Sequence, residues 1–475
     1  MKTYVVIVLD RRIYAIDIED EQNHVKELRF NKTFANHLFV TFQPSELVNI
    51  LGLDAGCLVN ILDFECLDKE IRQSIIYVDT HKWNWQVSDM VRFYLEKEFE
   101  WDENQIFQGL ILLKECFLEM KARGASEWNR IESIEIPINR VLYKCQKVGI
   151  YVDNAAIKQE CENCYTVMYH LKNRIQLELG QTSPDYQLYL QDIDTPNWII
   201  NRYKLKILTR KHPELHLFRD LEKNEKNYLS LLFMASLIPG RRCKPLYKGF
   251  GSSTGRIIIK EPALQNLNRH FRNFIKDPML ESSGKKYLYV DYSQFEAGIL
   301  AGLTENEKLK KLYLDGKIYE KLCSFLKIND RELAKAYFYC FIYGGIVLDG
   351  TERFFEEYCS KEKLDKIIEK AQREGKISTA LGNNRVLESG TDNKWIINHL
   401  IQGTSSLIFK EALLNVDSIN HGNIQLVMPM HDAALYIVNK DVSEELIMKL
   451  FSDAFMKYIP KLKPIIKVKD FFKGE

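Results

Sequence analysis

The sequence predicts an α/β chain of the α+β multidomain kind, and three features of its pattern support this. Residues 1–80 alternate short β-branched runs such as YVVIVL with helical segments, which is typical of a small α/β domain. Residues 303–378 carry a helical pattern almost throughout. Residues 425–438, QLVMPMHDAALYIV, predict two buried strands joined by a turn. With 475 residues, the chain can hold about three domains of ordinary size.

Composition narrows the class of protein. The 46% hydrophobic and 28% charged residues are typical of a globular protein. No run of about 18 apolar residues predicts a membrane span, and we expect no membrane partner. The ten cysteines lack a framework spacing, so we expect free thiols in a reducing compartment. Together these features predict a cytoplasmic location.

The charge is distributed unevenly along the chain. The formal net charge is only +1, but residues 202–272 hold 16 Lys and Arg against 5 Asp and Glu. Such a basic stretch with interleaved Tyr, Phe and His suits a phosphate backbone. The alternative interpretation is a solvated basic face without a partner.

Two aspartates follow apolar strands. Asp291 ends the run YLYV, and Asp432 stands at the turn of the hairpin predicted over residues 425–438. A single aspartate at a strand end is more often a helix cap or turn former. If the two strands are neighbours in one antiparallel sheet, however, both carboxylates meet at one edge. Such a pair can hold Mg²⁺, and two ions about 3.5–4 Å apart can stabilise the attacking and leaving oxygens of a phosphoryl displacement.

A helix predicted over residues 331–345 carries matching groups. Arg331, Lys335, Tyr339 and Tyr343 recur at intervals of four residues, so they share one face that drifts slowly around the helix. Two cations can bind a triphosphate, and two rings can stack on a base. The alternative is an amphipathic helix whose tyrosines pack in a core.

Six segments in this order resemble motifs of the family A DNA polymerases, the class of bacterial DNA polymerase I. Residues 291–296, DYSQFE, are similar to motif A, the Arg331–Gly344 spacing matches motif B, and His431-Asp432 matches motif C. Three further segments resemble family segments, namely 136–153, 253–269 and 398–414. The likeness covers residues 134–475 and implies a right-hand polymerase with an antiparallel palm sheet and helical fingers and thumb.

The resemblance implies a DNA-directed DNA polymerase, a nucleotidyltransferase of DNA replication, whose partners are primer–template DNA and dNTPs. Asp291 and Asp432 would bind two Mg²⁺ ions, and Lys335 would join them in catalysis. Glu296 would be a steric gate against ribonucleotides. The remaining nucleotide-binding residues would be Arg331, Lys335, Tyr339, Tyr343 and Gln294. The DNA-binding residues would be Arg256, Gln265, Asn398, Gln402 and His431.

The resemblance also divides the chain and shows departures from the family pattern. Ala433 replaces the Glu that usually follows the motif C aspartate, and Tyr319 replaces a triphosphate-contacting His. The implied domains are a small α/β exonuclease-like domain (1–130), the thumb (131–250), the fingers (306–390) and a palm formed by two separate segments of the chain (251–305 with motif A, and 391–475 with motif C).

The N-terminal region carries Asp17-Ile-Glu19, a DxE of the kind found in 3′–5′ exonucleases, but Asn60 and Asp63 have the wrong spacing for further ligands. We therefore expect a degenerate exonuclease-like domain without proofreading. The compact size predicts a monomer of the phage or mobile-element type, acting in a bacterial or phage-infected cell.

Three other functions remain open on the sequence. One is a metal nuclease, which would have no purpose for the triphosphate-binding helix. A single-subunit RNA polymerase shares the palm and its two aspartates, although its motif A lacks the glutamate gate. A polymerase-shaped DNA-binding scaffold would need none of the catalytic groups, so the presence of Asp291, Asp432, Arg331 and Lys335 argues against it.

Overall fold

The fold is seen in a computed structural model that describes most of the chain. The described residues are 2–28, 36–51, 59–79, 83–180, 208–210, 212–237, 240, 242–266, 269–343, 350–388, 390 and 393–473. Within these ranges no helix is both long enough and apolar enough to cross a bilayer.

A five-stranded sheet organises the N-terminal domain. Its strands are β1 (Thr3–Leu9), β2 (Arg12–Asp17), β3 (Val25–Leu28), β4 (Leu38–Thr41) and β5 (Asn60–Asp63). The strand order is β3-β2-β1-β4-β5; β1 to β3 form an antiparallel meander, whereas β4 and β5 run parallel to β1. The domain's helices are α1 (Pro44–Ile50), α2 (Phe64–Ile75), α3 (Val87–Leu95) and α4 (Ile106–Arg123).

Both faces of this sheet are buried. Val5 and Ile7 point into the core shared with α2, α3 and α4, while Val6 and Val8 point into a second core shared with α1. Alternate residues of a strand point to opposite faces, so a strand covered on both sides must be apolar at every position. This explains the uninterrupted run YVVIVL and agrees with the predicted small α/β domain.

Helical segments then lead out of this domain. They are α5 (Ala125–Arg130), a π-helical turn (Ile131–Glu135), α6 (Ile136–Val148), α7 (Asn154–Leu179) and α8 (Leu215–Ala235). The predicted break at Gly149 is present at φ 69°, in the left-handed region that favours glycine. Asp153 caps α7 by accepting a hydrogen bond from the Ala156 N–H at 3.1 Å, also as predicted.

The packing of α6 does not support a thumb that begins at residue 131. This helix contacts α1 and β5 of the N-terminal domain and also strands of the following domain. Helices α7 and α8 instead pack along each other around their own small core of Ile175, Leu215 and Phe218. We therefore propose that the thumb starts at the Gly149 break and consists of α7 and α8.

The second half of the chain alternates sheet and helix. In order, its elements are β6 (Leu246–Lys248), β7 (Ile258–Lys260), β8 (Lys285–Tyr292), α9 (Phe295–Thr304), α10 (Glu307–Leu314), α11 (Ile318–Leu326), α12 (Arg331–Tyr343), α13 (Thr351–Tyr358), α14 (Lys361–Glu374), β9 (Lys376–Thr379), β10 (Gly382–Val386), α15 (Asn393–Ser418), β11 (Ile424–Pro429), β12 (Ala433–Asn439), α16 (Glu444–Tyr458) and β13 (Ile466–Lys469). Four of these strands form one antiparallel sheet in the order β11-β12-β8-β13. This is the predicted palm sheet, and helices α10 to α14 are the proposed fingers.

The hairpin β9–β10 falls within the range predicted for the fingers but packs largely against other parts of the chain. It contacts α14 of the proposed fingers, and it also contacts α15 and the helices α2 and α5 of the N-terminal domain. Gly403 of α15 permits this approach, because a Cβ there would lie 2.6 Å from Cγ2 of Thr379. We therefore propose that the fingers end near residue 374 and that the hairpin belongs to the base of the palm.

A buried ion cluster joins the N-terminal domain to this base. The Arg130 guanidinium donates to Glu70, to Glu127 at 2.9 Å and to Glu135 at 2.6 Å. Lys410 of α15 donates to both oxygens of Glu135 at 2.7 and 2.8 Å. All five side chains are almost fully buried, so each carboxylate depends on these cations for its solvation.

The same cluster fixes the hairpin. The Glu127 carboxylate accepts the backbone N–H groups of Asn383 at 2.7 Å and Asn384 at 3.0 Å. The Asn383 carbonyl in turn hydrogen-bonds His399 of α15 at 3.0 Å. A continuous chain of hydrogen bonds therefore runs from the N-terminal domain to the palm helix.

Replacing Arg130 tests how much this cluster contributes to the free energy of unfolding. Arg130→Met leaves three buried carboxylates with only Lys410 nearby, and we expect the free energy of unfolding to fall by about 3–5 kcal/mol, the cost of breaking a buried ion pair. Urea unfolding at pH 7 measures the change. The control is Arg174→Met, which removes an exposed ion pair to Glu178 and should leave the midpoint almost unchanged. Equal midpoints for the two variants would contradict the assigned role.

Candidate active site

The two predicted carboxylates lie side by side on the palm sheet. β8 pairs with β12 so that Asp291 is opposite Ala433, the residue after Asp432. The backbone N–H of Tyr292 donates to the Asp432 carbonyl at 3.1 Å, which ties the hairpin turn to the end of β8. The strands are thus neighbours in one antiparallel sheet, which is the condition under which the sequence predicts a shared metal edge.

Burial and charge repulsion together determine the electrostatics of this edge. Burial, followed by the negative charges of Asp291 and Glu296, raises the pKa of Asp432 to about 7, against the attraction of Arg256 and Lys335. Asp291 has a cation of its own, because Lys469 of β13 donates to its Oδ2 at 2.5 Å. A cation placed between the two carboxylates would relieve the repulsion.

A cleft of about 680 Å³ opens over the two aspartates. It is lined by nine of the thirteen predicted site residues, contributed by β8, α9, α12, the loop before β7 and the hairpin turn. These residues are Arg256, Asp291, Gln294, Glu296, Arg331, Lys335, Tyr339, His431 and Asp432. Residues that are far apart in the chain therefore share one solvent-filled space.

The predicted face of α12 is present on one wall of this cleft. Tyr339 and Tyr343 stack with ring centroids 5.7 Å apart, as four-residue spacing on a helix allows. The Tyr319 hydroxyl of α11 donates to the Tyr339 hydroxyl at 3.2 Å, and the Arg331 guanidinium lies 5.1 Å from the Tyr319 ring centre. Tyr319, a departure from the family pattern, is thus part of this wall.

Glu296 is held by two donors, one of which lies on α12. It accepts hydrogen bonds from Arg256 and from the Tyr343 hydroxyl. Burial acts to lower the pKa of Arg256, but the combined attraction of Glu296, Tyr343 and Asp432 outweighs it and the pKa is raised. Gly255, at φ 74°, makes the turn that presents Arg256.

Four predicted residues lie outside the cleft lining, and they differ in how close they lie to the cleft and in whether their polar atoms already have partners. Tyr343 and Gln402 adjoin it, because the Gln402 amide hydrogen-bonds the Tyr343 hydroxyl. Asn398, one turn before Gln402 on α15, has a buried Oδ1 without a hydrogen-bond partner in the described part of the chain. It is therefore available to a donor from a ligand.

The prediction that Gln265 contacts DNA is not supported. Its Oε1 accepts the Ile259 N–H at 3.1 Å, and its Nε2 donates to the carbonyls of Ile257 at 3.1 Å and Pro429 at 3.3 Å. With both ends of the amide engaged by backbone, Gln265 braces the segment after Arg256 against β11.

The structure also places in the cleft two residues that the sequence analysis missed. Lys467 and Lys469 of β13 line it beside Asp291. The available signal was the pattern IKVK, in which two lysines at a period of two share one face of a strand. Of the predicted basic stretch, residues 202–207, 211, 238–239, 241 and 267–268 lie outside the described residues.

The donor set fits a divalent metal ion. Asp291 and Asp432 supply carboxylate oxygens at one edge, which is the donor type that Mg²⁺ prefers, and their mutual repulsion favours a cation between them. The described residues contain no cluster of three or more His, Cys, Asp or Glu side chains arranged for a metal. Further oxygen ligands would therefore come from substrate phosphates or water.

Comparison with known proteins agrees with this arrangement. The family model described as DNA polymerase family A matches residues 193–469, more than half of the chain. This chain belongs to DNA polymerase family A. The match includes Asp291, the α12 face and Asp432, so the motif resemblance found in the sequence is confirmed.

Individual relatives of this family A chain are distant. DNA polymerase I of Caldicellulosiruptor bescii is 23% identical over 398 residues, covering 71% of this chain and 46% of that protein. DNA polymerase I of Helicobacter pylori is 26% identical over 280 residues, covering 51% and 31%. The chain thus spans less than half the length of these curated relatives.

A solved structure shares the fold. The POL domain of Pol1 from M. smegmatis, in complex with DNA primer-template and dNTP, superposes with a TM-score of 0.75 at 17% sequence identity. The superposition covers 98% of this chain and 94% of that one. The predicted right-hand polymerase fold is therefore confirmed.

The metal-free protein should lose stability through Asp432 as pH rises from about 4 to 7. The unfolded chain releases this proton near pH 4, whereas the folded protein keeps it up to about pH 7, so the folded state binds more protons in this window. Above pH 7 we expect Asp432→Asn to be more stable than the unmodified protein by roughly 2 kcal/mol. This figure discounts the ~1.4 kcal/mol per pKa unit, because the Asp432 side chain is partly exposed and water screens its charge interactions.

Urea unfolding in EDTA at pH 5 and pH 8 checks this expectation. The stability difference between Asp432→Asn and the unmodified protein should grow between the two pH values. A difference of the same size at both would show that Asp432 does not titrate in this range.

Proposed function

We propose that this chain is a DNA-directed DNA polymerase that adds deoxynucleotides to a primer 3′-hydroxyl. One observation carries the proposal: the paired carboxylates Asp291 and Asp432 open into the same cleft as the cationic, aromatic face of α12. A metal nuclease has no use for that face, and a DNA-binding scaffold has no use for two repelling carboxylates.

The proposed reaction is a nucleotidyl transfer. The primer 3′-hydroxyl loses its proton and attacks the α-phosphorus of the dNTP, a new phosphodiester bond forms, and the bond to pyrophosphate breaks. Asp291 and Asp432 would hold two Mg²⁺ ions, which supply charge to the attacking and leaving oxygens. Arg331 and Lys335 would hold the triphosphate, and Lys335 would offset negative charge on the leaving pyrophosphate.

The cleft also offers groups for the base pair and the sugar. Tyr339 would stack against the incoming nucleotide and Tyr343 near the template base, in keeping with their parallel rings. Gln294 would support this wall through its hydrogen bond to the Gly316 carbonyl at 3.2 Å. Glu296, held by Arg256 and Tyr343, would crowd a ribose 2′-hydroxyl.

Several side chains suit the minor groove of a primer–template. Arg256, Asn398, Gln402 and His431 would contact acceptors that occur in every Watson–Crick pair, so they would test shape without reading sequence. The unpaired Oδ1 of Asn398 would accept from a water. Gln265 is withdrawn from this set because its amide is already engaged.

We also propose that the N-terminal domain does not proofread. Asp17 pairs with Lys2 at 3.4 Å and accepts the Glu19 N–H at 3.1 Å. Asp63 caps α2 and pairs with Lys248 of the palm side. Two of the acids that an exonuclease would need, Asp17 and Asp63, are thus employed in the structure of the domain and its attachment. The monomeric state, cytoplasmic location and phage or mobile-element origin stay predictions from the sequence.

Primer extension tests the proposed function. On a labelled primer–template with Mg²⁺ and dNTPs, we expect template-directed extension that falls at least 1,000-fold in Asp432→Ala, because half of the metal-binding pair is lost. The matched control is Asp453→Ala, an exposed carboxylate of α16. Binding of primer–template without extension by the unmodified protein would favour the scaffold instead.

The glutamate gate gives a second prediction. Glu296→Ala removes the carboxylate that would crowd a 2′-hydroxyl, and we expect ribonucleotide incorporation relative to deoxynucleotide to rise at least tenfold. Single-nucleotide insertion with each dNTP and matching NTP measures the ratio. Equal use of NTPs and dNTPs by the unmodified protein would point to an RNA polymerase-like enzyme.

A further inference from the structure

The groups that flank Asp291 on the sheet differ sharply between its two sides. On β12 the residue directly opposite is Ala433, whose methyl group offers no ligand. On β13 the residue directly opposite is Lys467, and Lys469 lies diagonally across on the same face. The edge therefore presents one carboxylate between a methyl group and two ammonium groups.

Only one of these lysines reaches the carboxylate. The Lys469 ammonium is 2.5 Å from Asp291 Oδ2. The side chains of the pair are 32% and 13% exposed, so water screens their attraction only in part. Lys467 is exposed and lines the same cleft.

The strand that carries Lys469 is anchored, while its side chain can move. The Phe471 ring packs edge-on against Tyr289 at 5.1 Å, and the Arg272 guanidinium donates to the Phe471 carbonyl at 3.1 Å. Lys469 has four rotatable side-chain bonds and lies at the wall of a solvent-filled cleft. Its ammonium can therefore leave Asp291 for another anion in the cleft without becoming buried alone.

We propose that Lys469 is a positioning residue that acts as a built-in counter-ion for Asp291 and competes with a divalent cation for this carboxylate. In the free protein the ion pair keeps Asp291 occupied, so a divalent cation binds weakly. When a nucleotide brings phosphate oxygens into the cleft, Lys469 transfers to them and Asp291 becomes available to the cation. The inference rests on the proposed function, in which Asp291 is a metal ligand.

This role predicts a change in metal affinity that does not depend on catalysis. Titration of Mn²⁺ into the free protein, followed by the electron paramagnetic resonance signal of unbound Mn²⁺, measures the affinity without DNA or nucleotide. We expect Lys469→Met to bind Mn²⁺ about tenfold more tightly than the unmodified protein, because a unit charge several Å from a dication is removed. Lys469→Arg keeps the charge and should bind as weakly as the unmodified protein.

Two further variants locate the effect. Lys467→Met removes a charge from the same strand and cleft but no ion pair to Asp291, and we expect less than a threefold gain. Adding Asp291→Asn to Lys469→Met should abolish the gain. Circular dichroism checks that each variant is folded, and Lys469→Gln replaces Lys469→Met if the latter is not.

The outcomes separate this inference from the polymerase proposal. Equal Mn²⁺ affinity in Lys469→Met and the unmodified protein would overturn the counter-ion role, even in an enzyme that extends primers. A gain of the same size in Lys467→Met would also overturn it, because the cause would then be general charge. A tenfold gain specific to Lys469 would support it, even if primer extension fails.

Discussion

Mutual repulsion between two carboxylates on adjacent antiparallel strands is the constraint on which the rest of the cleft depends. Asp291 and Asp432 are brought together by backbone pairing within the palm sheet, so their backbones cannot move apart while the sheet is intact. The surrounding charges answer this problem: Lys469 pairs with Asp291, while Arg256 and Lys335 attract Asp432. Such a site favours the binding of a cation. A polyphosphate can bind beside the two carboxylates only when a cation accompanies it.

Paired buried charges also connect the N-terminal domain to the palm. The cluster of Arg130, Lys410 and three glutamates binds the hairpin β9–β10 through the Glu127 carboxylate, and the hairpin in turn supports α15 through His399. Helix α15 carries Asn398 and Gln402 beside the cleft. The N-terminal domain is therefore connected through hydrogen bonds and ion pairs to the helix that carries part of the proposed DNA-binding surface.

Much of the local structure follows from the printed sequence. The period-two alternation, the Gly149 break and the Asp153 cap predict the strands, the end of α6 and the start of α7, because each depends on residues close in the chain. The four-residue spacing of α12 predicts a shared face for the same reason. Domain boundaries do not follow from the sequence in this way. The helix α6 and the β9–β10 hairpin pack on partners that are distant in the chain, and no local pattern specifies those partners.

For the site, the sequence by itself determined which residue types stand at the ends of β8 and β11 and along α12, and the motif order was enough to indicate the family. Only the tertiary structure decided that Lys469 reaches Asp291, that Tyr319 bonds Tyr339, and that Gln265 is used up by backbone groups. The physical reason is the distance along the chain over which each kind of interaction acts. Helix faces and strand alternation arise from covalent geometry over a few residues, whereas ion pairs and hydrogen bonds between distant segments exist only after the sheet register and helix packing have placed them within a few ångströms.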